Sequence, residues 1–180
     1  MSMEKTAFRI AAADKASAFT PEYVRSSDAE ITRRVLNSAE YNCARTVFCY
    51  VSANKEPDTQ EILLNSIKNG KLVCVPYCEN GGTMSARIIN SFSQLKPGRY
   101  GLPEPPATAE TVPPSKIDLC IVPCVCADKS GHRIGHGGGY YDKFLHHCRA
   151  KKILLCRKEL IMSKLPKESF DISCDIVITD

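Results

Sequence analysis

Short apolar runs that alternate with helical segments are the feature that most constrains the fold of this chain. Each run is rich in β-branched and aromatic residues, which is typical of a buried strand. Strands are expected at 45–52, 71–76, 84–89, 117–125, 152–156 and 175–180. Strands that alternate with helices form βαβ units around a mostly parallel sheet. We therefore predict a three-layer, Rossmann-like α/β fold with helices on both faces of the sheet and 117–125, the most apolar run, as a central strand.

The helical segments carry recognisable start and stop signals. Ser27 followed three residues later by Glu30 forms a capping-box pattern, so a helix is predicted to begin at about Ser27. Asp58 is a suitable cap for another helix, and Gly70 suits its end. Further helices are expected at 4–20 and 140–148.

A proline-rich segment divides the chain without dividing the domain. Residues 97–114 hold six of the eleven prolines, which excludes a helix or a central strand there. The segment lacks the length and charge bias of a disordered linker, so an ordered surface connection is expected. At 180 residues and 43% apolar content, residues 1–180 are predicted to form a single domain.

Net charge and hydropathy indicate which kinds of molecule the protein can bind. The net charge of +4 is mild and the basic residues are scattered, so nucleic-acid binding is not expected, whereas an anionic small molecule is an open possibility. No apolar run approaches the roughly 20 residues that span a bilayer. The first ten residues lack the apolar core of a signal peptide. We expect a cytoplasmic monomer that does not bind membranes.

Ten cysteines raise the question of disulfides or a metal. Cys49, Cys74, Cys120 and Cys156 lie inside apolar runs, and no C-x-x-C pair exists, so buried free thiols are predicted. A zinc site is the alternative, made of Cys124, Cys126, His132 and His136. Its spacing is weak, because the standard C-x-x-C knuckle is absent and glycines separate the two histidines.

The stretch from Gly131 to Phe144 holds half of the chain's ten glycines. It follows a predicted strand and precedes a helix, at the sheet edge where ligands bind in such folds. Tyr140 stands where G-x-G-x-x-G would need its last glycine, and the G-K-S/T of a P-loop is absent. Consecutive glycines can still point several N–H groups at one anion, of which phosphate is the most common.

Side chains beside these glycines suit a phosphate ligand. Arg133 offers a forked, permanently charged donor, and Asp142 can hold a hard cation such as Mg²⁺. Tyr140 and Tyr141 can present ring faces to a flat ligand. A plain glycine-rich turn, with Asp142 as a carboxylate at a helix start, is the alternative.

Five segments, in order along the chain, resemble those of 5-formyltetrahydrofolate cyclo-ligases. R-I-G-H-G-G-G-Y-Y-D (133–142) is similar to the family signature R-L/I-G-x-G-x-G-Y-Y-D. K-T-A-F-R (5–9) resembles the N-terminal K-x-x-L-R element, and Y-V-S-A-N-K-E-P-D-T (50–59) resembles a strand ending in S-x-x-x-E-x-x-T. The connection 91–105 and the strand 117–131 resemble the remaining two elements.

The resemblance implies an ATP-dependent ligase and a role for each matching residue. Such an enzyme converts 5-formyltetrahydrofolate to 5,10-methenyltetrahydrofolate with Mg²⁺, and its fold is of the sugar-phosphate isomerase and CoA-transferase type. The implied catalytic residue is Arg133. The implied ATP contacts are Lys5, Arg9, Arg133, Ile134, Gly135, His136, Gly137, Gly138, Gly139, Tyr140 and Tyr141. The implied folate contacts are Val51, Glu56, His136, Gly137, Gly138, Gly139 and Tyr140. The implied metal ligands are Asp142 and Asp171.

Two other functions fit the residues without the resemblance. A regulatory domain could bind ATP through the same loop without turnover. Another α/β enzyme, such as a sugar-phosphate isomerase, could share the architecture, because fold alone does not determine function.

Overall fold

The computed structural model describes residues 3–53 and 55–180. The helices are α1 (Met3–Ser17), α2 (Pro21–Leu36), α3 (Ala39–Cys43), α4 (Gln60–Lys68) and α5 (Tyr140–His146). The strands are β1 (Thr46–Cys49), β2 (Leu72–Cys78), β3 (Met84–Ile88), β4 (Lys96–Pro97), β5 (Pro103–Glu104), β6 (Thr111–Val112), β7 (Leu119–Val122), β8 (Cys126–Asp128), β9 (Arg133–Ile134), β10 (Lys151–Leu155), β11 (Ile161–Met162) and β12 (Ile176–Ile178). All six predicted strands form, most of them shorter than the apolar runs.

A mixed seven-stranded sheet forms the middle of the fold, in the order β12-β10-β7-β1-β2-β3-β6. The first five strands are parallel, while β3 and β6 are antiparallel at one edge. Val47 of β1 lies opposite Leu119 on one side and Val73 on the other. The strand predicted to be central, β7, lies inside the sheet between β10 and β1.

Side chains alternate between the two faces of the sheet and form two cores. Phe48, Cys74, Cys120 and Leu154 pack on one face with residues of α1 and α5. The other face holds the neighbouring strand residues, together with residues of α2, α3 and α4. The predicted helices on both faces are therefore present. Among the described residues, no helix is long and apolar enough to cross a membrane.

The predicted start of the second helix at Ser27 is wrong. Helix α2 begins at Pro21, and the side chain of Thr20 caps it by accepting the N–H of Tyr23. Proline suits the first helical position because its missing N–H would have no partner there. Ser27 is buried inside the helix, so its spacing to Glu30 is a coincidence of sequence.

Three further expectations concern local structure. Helix α4 begins one residue later than the cap at Asp58 implies, with Thr59 before it, although Asp58 Oδ1 still accepts the N–H of Gln60. The proline-rich segment contains short strands and 3-10 turns at the edge, as expected for a connection. Nine of the ten cysteines are at least partly buried and all ten are free thiols, which confirms the prediction for cysteine.

A small sheet of β11, β8 and β9 carries the glycine stretch. Strand β9 pairs with β8 in antiparallel fashion, which places Arg133 opposite Ala127. The chain leaves β9 at Ile134 and enters α5 at Tyr140. The glycines between these two elements therefore lie beyond the carboxyl ends of the parallel strands.

Candidate active site

The glycine loop, residues 135–139, is exposed along most of its length. Gly137 has a φ of 98° and Gly139 a φ of 68°, in the left-handed region that favours glycine. Gly139 is also the residue before the first turn of α5. At Gly135, an added Cβ would meet no heavy atom within 4 Å. Space for a ligand therefore adjoins the backbone at Gly135.

Arg133 connects the loop to helix α5 and to the C-terminal tail. Its Nη2 donates to Asp142 Oδ1 at 2.9 Å, and its Nη1 donates to the carbonyl of Ile172. The same Asp142 oxygen accepts the N–H of Ile172 at 3.0 Å. The Arg133 side chain is only 4% exposed, so these partners and the surrounding residues enclose most of the fork.

Lys5 approaches the same place from helix α1. Its Nζ lies 2.6 Å from Asp171 Oδ2 and 2.6 Å from Glu168 Oε2. Burial opposes the charge of Lys5, but the hydrogen bonds to Asp171 and Glu168 outweigh it, so its pKa is raised above the ordinary value. Burial likewise opposes the charge of Asp171, yet the Glu168 N–H and Lys5 hold its pKa below the usual range. Four charged residues predicted from the sequence therefore lie together, namely Lys5, Arg133, Asp142 and Asp171.

Arg9 lies one helical turn after Lys5 and reaches the glycine loop directly. Its Nε donates to the carbonyl of Gly135 at 2.7 Å. Its Nη1 is buried and has no hydrogen-bond partner among the described residues. A buried, charged donor without a partner is costly, so this atom is suited to an anionic ligand beside Gly135.

Glu56 faces the loop from the segment that follows the carboxyl end of β1. Its Oε2 accepts the N–H of Ala53 at 3.1 Å, and its Oε1 lies 3.5 Å from His136 Nε2. The hydrogen bond to Glu56 raises the pKa of His136 above 6.5. Val51 is half-buried at the exit of β1 and packs against the core. Of the residues implied to contact folate, Glu56 is thus next to the loop at His136, while Val51 packs at the end of β1.

The aromatic residues differ in what they can contact. Tyr140 lies close to the loop, since a Cβ at Gly138 would fall 2.8 Å from its ring. Tyr141 packs against both cores, with its ring centroid 6.3 Å from that of Phe48. Ile134 is only 1% exposed, and its carbonyl accepts the N–H of Val125 at 2.7 Å, so the structure leaves neither its side chain nor its backbone open to a ligand.

The sequence pattern of 5-formyltetrahydrofolate cyclo-ligases matches residues 2–180. The chain belongs to this family. It is accordingly an ATP-dependent ligase of one-carbon metabolism, and it converts 5-formyltetrahydrofolate to 5,10-methenyltetrahydrofolate. Neither a regulatory domain without turnover nor a sugar-phosphate isomerase fits this membership.

Relatives and solved structures agree with the family. The 5-formyltetrahydrofolate cyclo-ligase of Mycolicibacterium smegmatis is 31% identical over 169 residues, covering 88% of this chain and 85% of the relative. The Saccharomyces cerevisiae protein of the same name is 33% identical and covers 75% of each chain. The NMR structure of Aquifex aeolicus 5,10-methenyltetrahydrofolate synthetase superposes with a TM-score of 0.87 at 26% identity, covering 98% of this chain and 89% of that one.

The alternative zinc site finds no support among the described residues. Within residues 3–53 and 55–180, no three His, Cys, Asp or Glu side chains are grouped so that they could hold a metal ion. His132 Nδ1 instead faces Asp128 Oδ2 at 3.1 Å. Burial opposes the charge of Asp128, but N–H groups of Leu165, His132 and Ser130, together with the His132 ring, hold its pKa below the usual range. This carboxylate supports the hairpin that delivers Arg133 to the cyclo-ligase loop.

Sequence reasoning missed Glu168 and Asp128. Glu168 shares Lys5 with Asp171, and its own N–H donates to Asp171 Oδ2 at 2.7 Å. The tail around it has no clear helix or strand pattern, so nothing in the sequence distinguishes it from other surface acids. Asp128 lies in the apolar strand region, where an acidic residue is an unusual buried group and could have been noticed.

Proposed function

We propose that the ATP phosphates bind at the glycine loop between Arg9, Lys5 and Arg133. The observation that carries this proposal is Arg9 Nη1, which is buried without a partner beside open space at Gly135. Arg9 contacts the loop itself, and Lys5 and Arg133 are paired with carboxylates of the tail and of α5 next to it. Exposed backbone at residues 136–139 adds N–H donors for phosphate oxygens.

Lys5 and Arg133 are proposed to exchange partners when nucleotide binds. In the structure each is paired with carboxylates, Lys5 with Asp171 and Arg133 with Asp142. These pairs keep the charges satisfied and hold the side chains near the loop. Phosphate oxygens offer Arg133 the bidentate geometry of a carboxylate with a higher negative charge.

The carboxylates released in this way, Asp142 and Asp171, are the residues that would hold Mg²⁺. The donor set fits, because carboxylate oxygens are the protein ligands that Mg²⁺ prefers and two of them leave room for phosphate oxygens. Asp142 accepts the N–H of the residue that follows Asp171, so the two carboxylates belong to one cluster. The ion would neutralise charge on the phosphates.

The folate is proposed to bind on the other side of the loop, between Glu56 and the glycines. A carboxylate suits the donor-rich edge of a pterin. The Glu56 carboxylate is oriented by the N–H of Ala53, in the same segment after β1. Val51, His136 and Tyr140 complete this side. The loop then separates the folate from ATP by only the width of the glycine backbone.

The reaction follows from placing the two substrates in line. The formyl oxygen attacks the γ-phosphorus of ATP, the bond from phosphorus to the bridging oxygen breaks, and ADP departs. N10 then attacks the activated formyl carbon and loses its proton, while the carbon–oxygen bond breaks and releases phosphate. The protein supplies orientation and positive charge, and Arg133, as the proposed catalytic residue, stabilises the oxygens of the transferred phosphoryl group.

The chain as a whole is proposed to act as a single domain of residues 1–180, monomeric and cytoplasmic. The single domain is supported by the continuous sheet, which takes strands from Thr46 to Ile178. The fold is proposed to be of the sugar-phosphate isomerase and CoA-transferase type, on the basis of the mostly parallel sheet with helices on both faces.

The variant Glu56→Gln tests the division into an ATP side and a folate side. Its affinity for 5-formyltetrahydrofolate is expected to fall about tenfold, because the amide replaces a charged acceptor, while ATP affinity stays within about twofold. Separate titrations of each ligand by calorimetry measure both. Equal losses for the two ligands would show that Glu56 supports the fold rather than the folate.

A further inference from the structure

Arg157 is a fully buried cation that the proposed reaction does not use. It follows β10 and is 1% exposed, the largest of the fully buried side chains among the described residues. Its Nη2 lies 2.8 Å from Asp28 Oδ1 on helix α2. Nη2 also donates to the carbonyl of Glu56 at 3.2 Å, and Nε and Nη1 donate to the carbonyls of Lys55 and Val24 at 3.3 Å.

The carbonyls bound by Arg157 include the backbone of the proposed folate residue itself. Asp28 Oδ1 adds a second hold on the same loop, since it accepts the N–H of Asp58 at 3.0 Å. Lys55 extends the bracing to α1 by donating to the carbonyl of Ala16 at 2.7 Å. Backbone groups on both sides of Glu56 are therefore held by an ion pair of the buried Arg157 and the half-buried Asp28.

A buried ion pair is weak evidence for stability alone, because desolvation offsets much of its attraction and an apolar side chain could fill the same space. What an apolar residue cannot supply is a planar fork that donates to several segments at once. Here the fork joins α2 and the β1 loop to the end of β10. This geometry is suited to holding a backbone in one position.

We propose that Arg157 and Asp28 are positioning residues for 5-formyltetrahydrofolate, which act by fixing the backbone of Glu56. This inference rests on the proposed role of Glu56 in binding folate. Glu56 Oε1 lies 3.5 Å from His136 Nε2, so a shift of its backbone moves the carboxylate relative to the glycine loop. Small displacements of a binding group lose much of its contribution, because hydrogen bonds require close geometry.

Arg157→Met is the decisive variant, since it keeps most of the side-chain volume and removes the donors. We expect the KM for 5-formyltetrahydrofolate to rise about tenfold, with the KM for ATP within about twofold. Arg157→Lys keeps the charge opposite Asp28 but cannot bind all the carbonyls, so a smaller rise of about threefold is expected. The lysine variant alone carries the test if the methionine variant does not fold.

Lys71→Met is the matched control. Lys71 Nζ also binds three backbone carbonyls, those of Tyr41, Asn42 and Ala44, but at the opposite edge of the sheet. It is expected to lower the melting temperature without changing either KM. A rise in folate KM in this control equal to that in Arg157→Met would overturn the positioning role, as would an equal rise in both KM values for Arg157→Met.

Glu56→Gln separates failure of this inference from failure of the proposed function. A folded Arg157 variant with unchanged folate KM, beside a Glu56→Gln enzyme with a raised one, overturns the positioning role and leaves the folate site standing. Unchanged folate KM in both variants overturns the assignment of Glu56, and the positioning role with it.

Discussion

The two edges of the parallel sheet use polar side chains in different ways. At the amino edge, Asp118, Lys71 and Asp175 each precede a strand and bind backbone groups of neighbouring segments. Asp118 Oδ2 accepts the N–H groups of Arg45 and Thr46 at 2.9 and 2.8 Å, and Asp175 Oδ2 accepts that of Lys152 at 2.8 Å. These bonds satisfy backbone groups at the starts of the strands and so stabilise the sheet.

At the carboxyl edge, charged side chains bind one another as well as backbone carbonyls. Lys5 and Arg133 bind carboxylates, and Arg9 keeps one buried nitrogen without a partner in the described part of the chain. Side-chain pairs can be exchanged for a charged ligand, whereas a backbone bond at a strand end cannot be given up without disturbing the sheet. The exchangeable pairs support the proposal that ligands bind at the carboxyl edge, whereas the bonds at the amino edge have only a structural role to play.

The largest effect is expected at Arg133. Arg133→Ala should lower kcat on the order of a hundredfold or more, because in the proposed site Arg133 is a preorganised charge next to the transferred phosphoryl group. Formation of the methenyl chromophore, followed by its absorbance, measures the rate. Arg133→Lys should recover activity only in part, since lysine is a point charge rather than a fork.

Full activity in Arg133→Lys would contradict the bidentate role. A melting curve on each variant provides the control, because Arg133 also ties Asp142 to the tail at Ile172. A lower kcat in a variant with the wild-type melting temperature would show that Arg133 acts in catalysis rather than in stability, unlike the polar residues of the amino edge.

An intermediate effect is expected at Gly135. An alanine Cβ at this position would meet no protein atom within 4 Å, and the φ of Gly135 is outside the left-handed region. The free energy of unfolding should therefore change by less than about 0.5 kcal/mol. If phosphates approach this backbone, the same methyl group should lower ATP affinity about tenfold or more. Calorimetric titration with ATP and a melting curve on one sample test both statements.

Gly138→Ala is a less clean probe of the same loop. Its Cβ would lie 2.8 Å from the ring of Tyr140, which must move. Unchanged ATP affinity in a folded Gly135→Ala variant would contradict phosphate binding at the glycine loop. The loop would then be only a turn, and the carboxyl edge would lose its proposed binding site.

The smallest effect on catalysis is expected at Asp118. Asp118→Ala removes the acceptor of two backbone N–H groups, so the free energy of unfolding should fall by about 1–2 kcal/mol. Both KM values and kcat should stay at wild-type levels, because Asp118 lies at the amino edge. Urea unfolding and steady-state kinetics give the two readouts, and a clear change in either KM would break the division between the edges.

Local sequence signals predicted the elements well where one residue type has one physical effect. Gly70 ends a helix with a φ of 71°, and the proline-rich segment stays out of the sheet interior. The signal failed at Ser27, because serine at a helix start and serine inside a helix look the same without the fold. Thr20 and Pro21 together held the correct signal.

The sequence by itself determined the alternation of strands and helices, the glycine loop before α5, and the family to which the chain belongs. The tertiary structure decided which charges meet. Lys5 and Glu168 are 163 positions apart, Lys5 and Asp171 are 166 apart, and Arg157 is 101 positions from the carbonyl of Glu56. Periodicity and turn chemistry act over a few residues, so they carry no information about such pairs. The pairs form because the parallel strands deliver their carboxyl ends to one edge, where α1, the glycine loop and the tail converge.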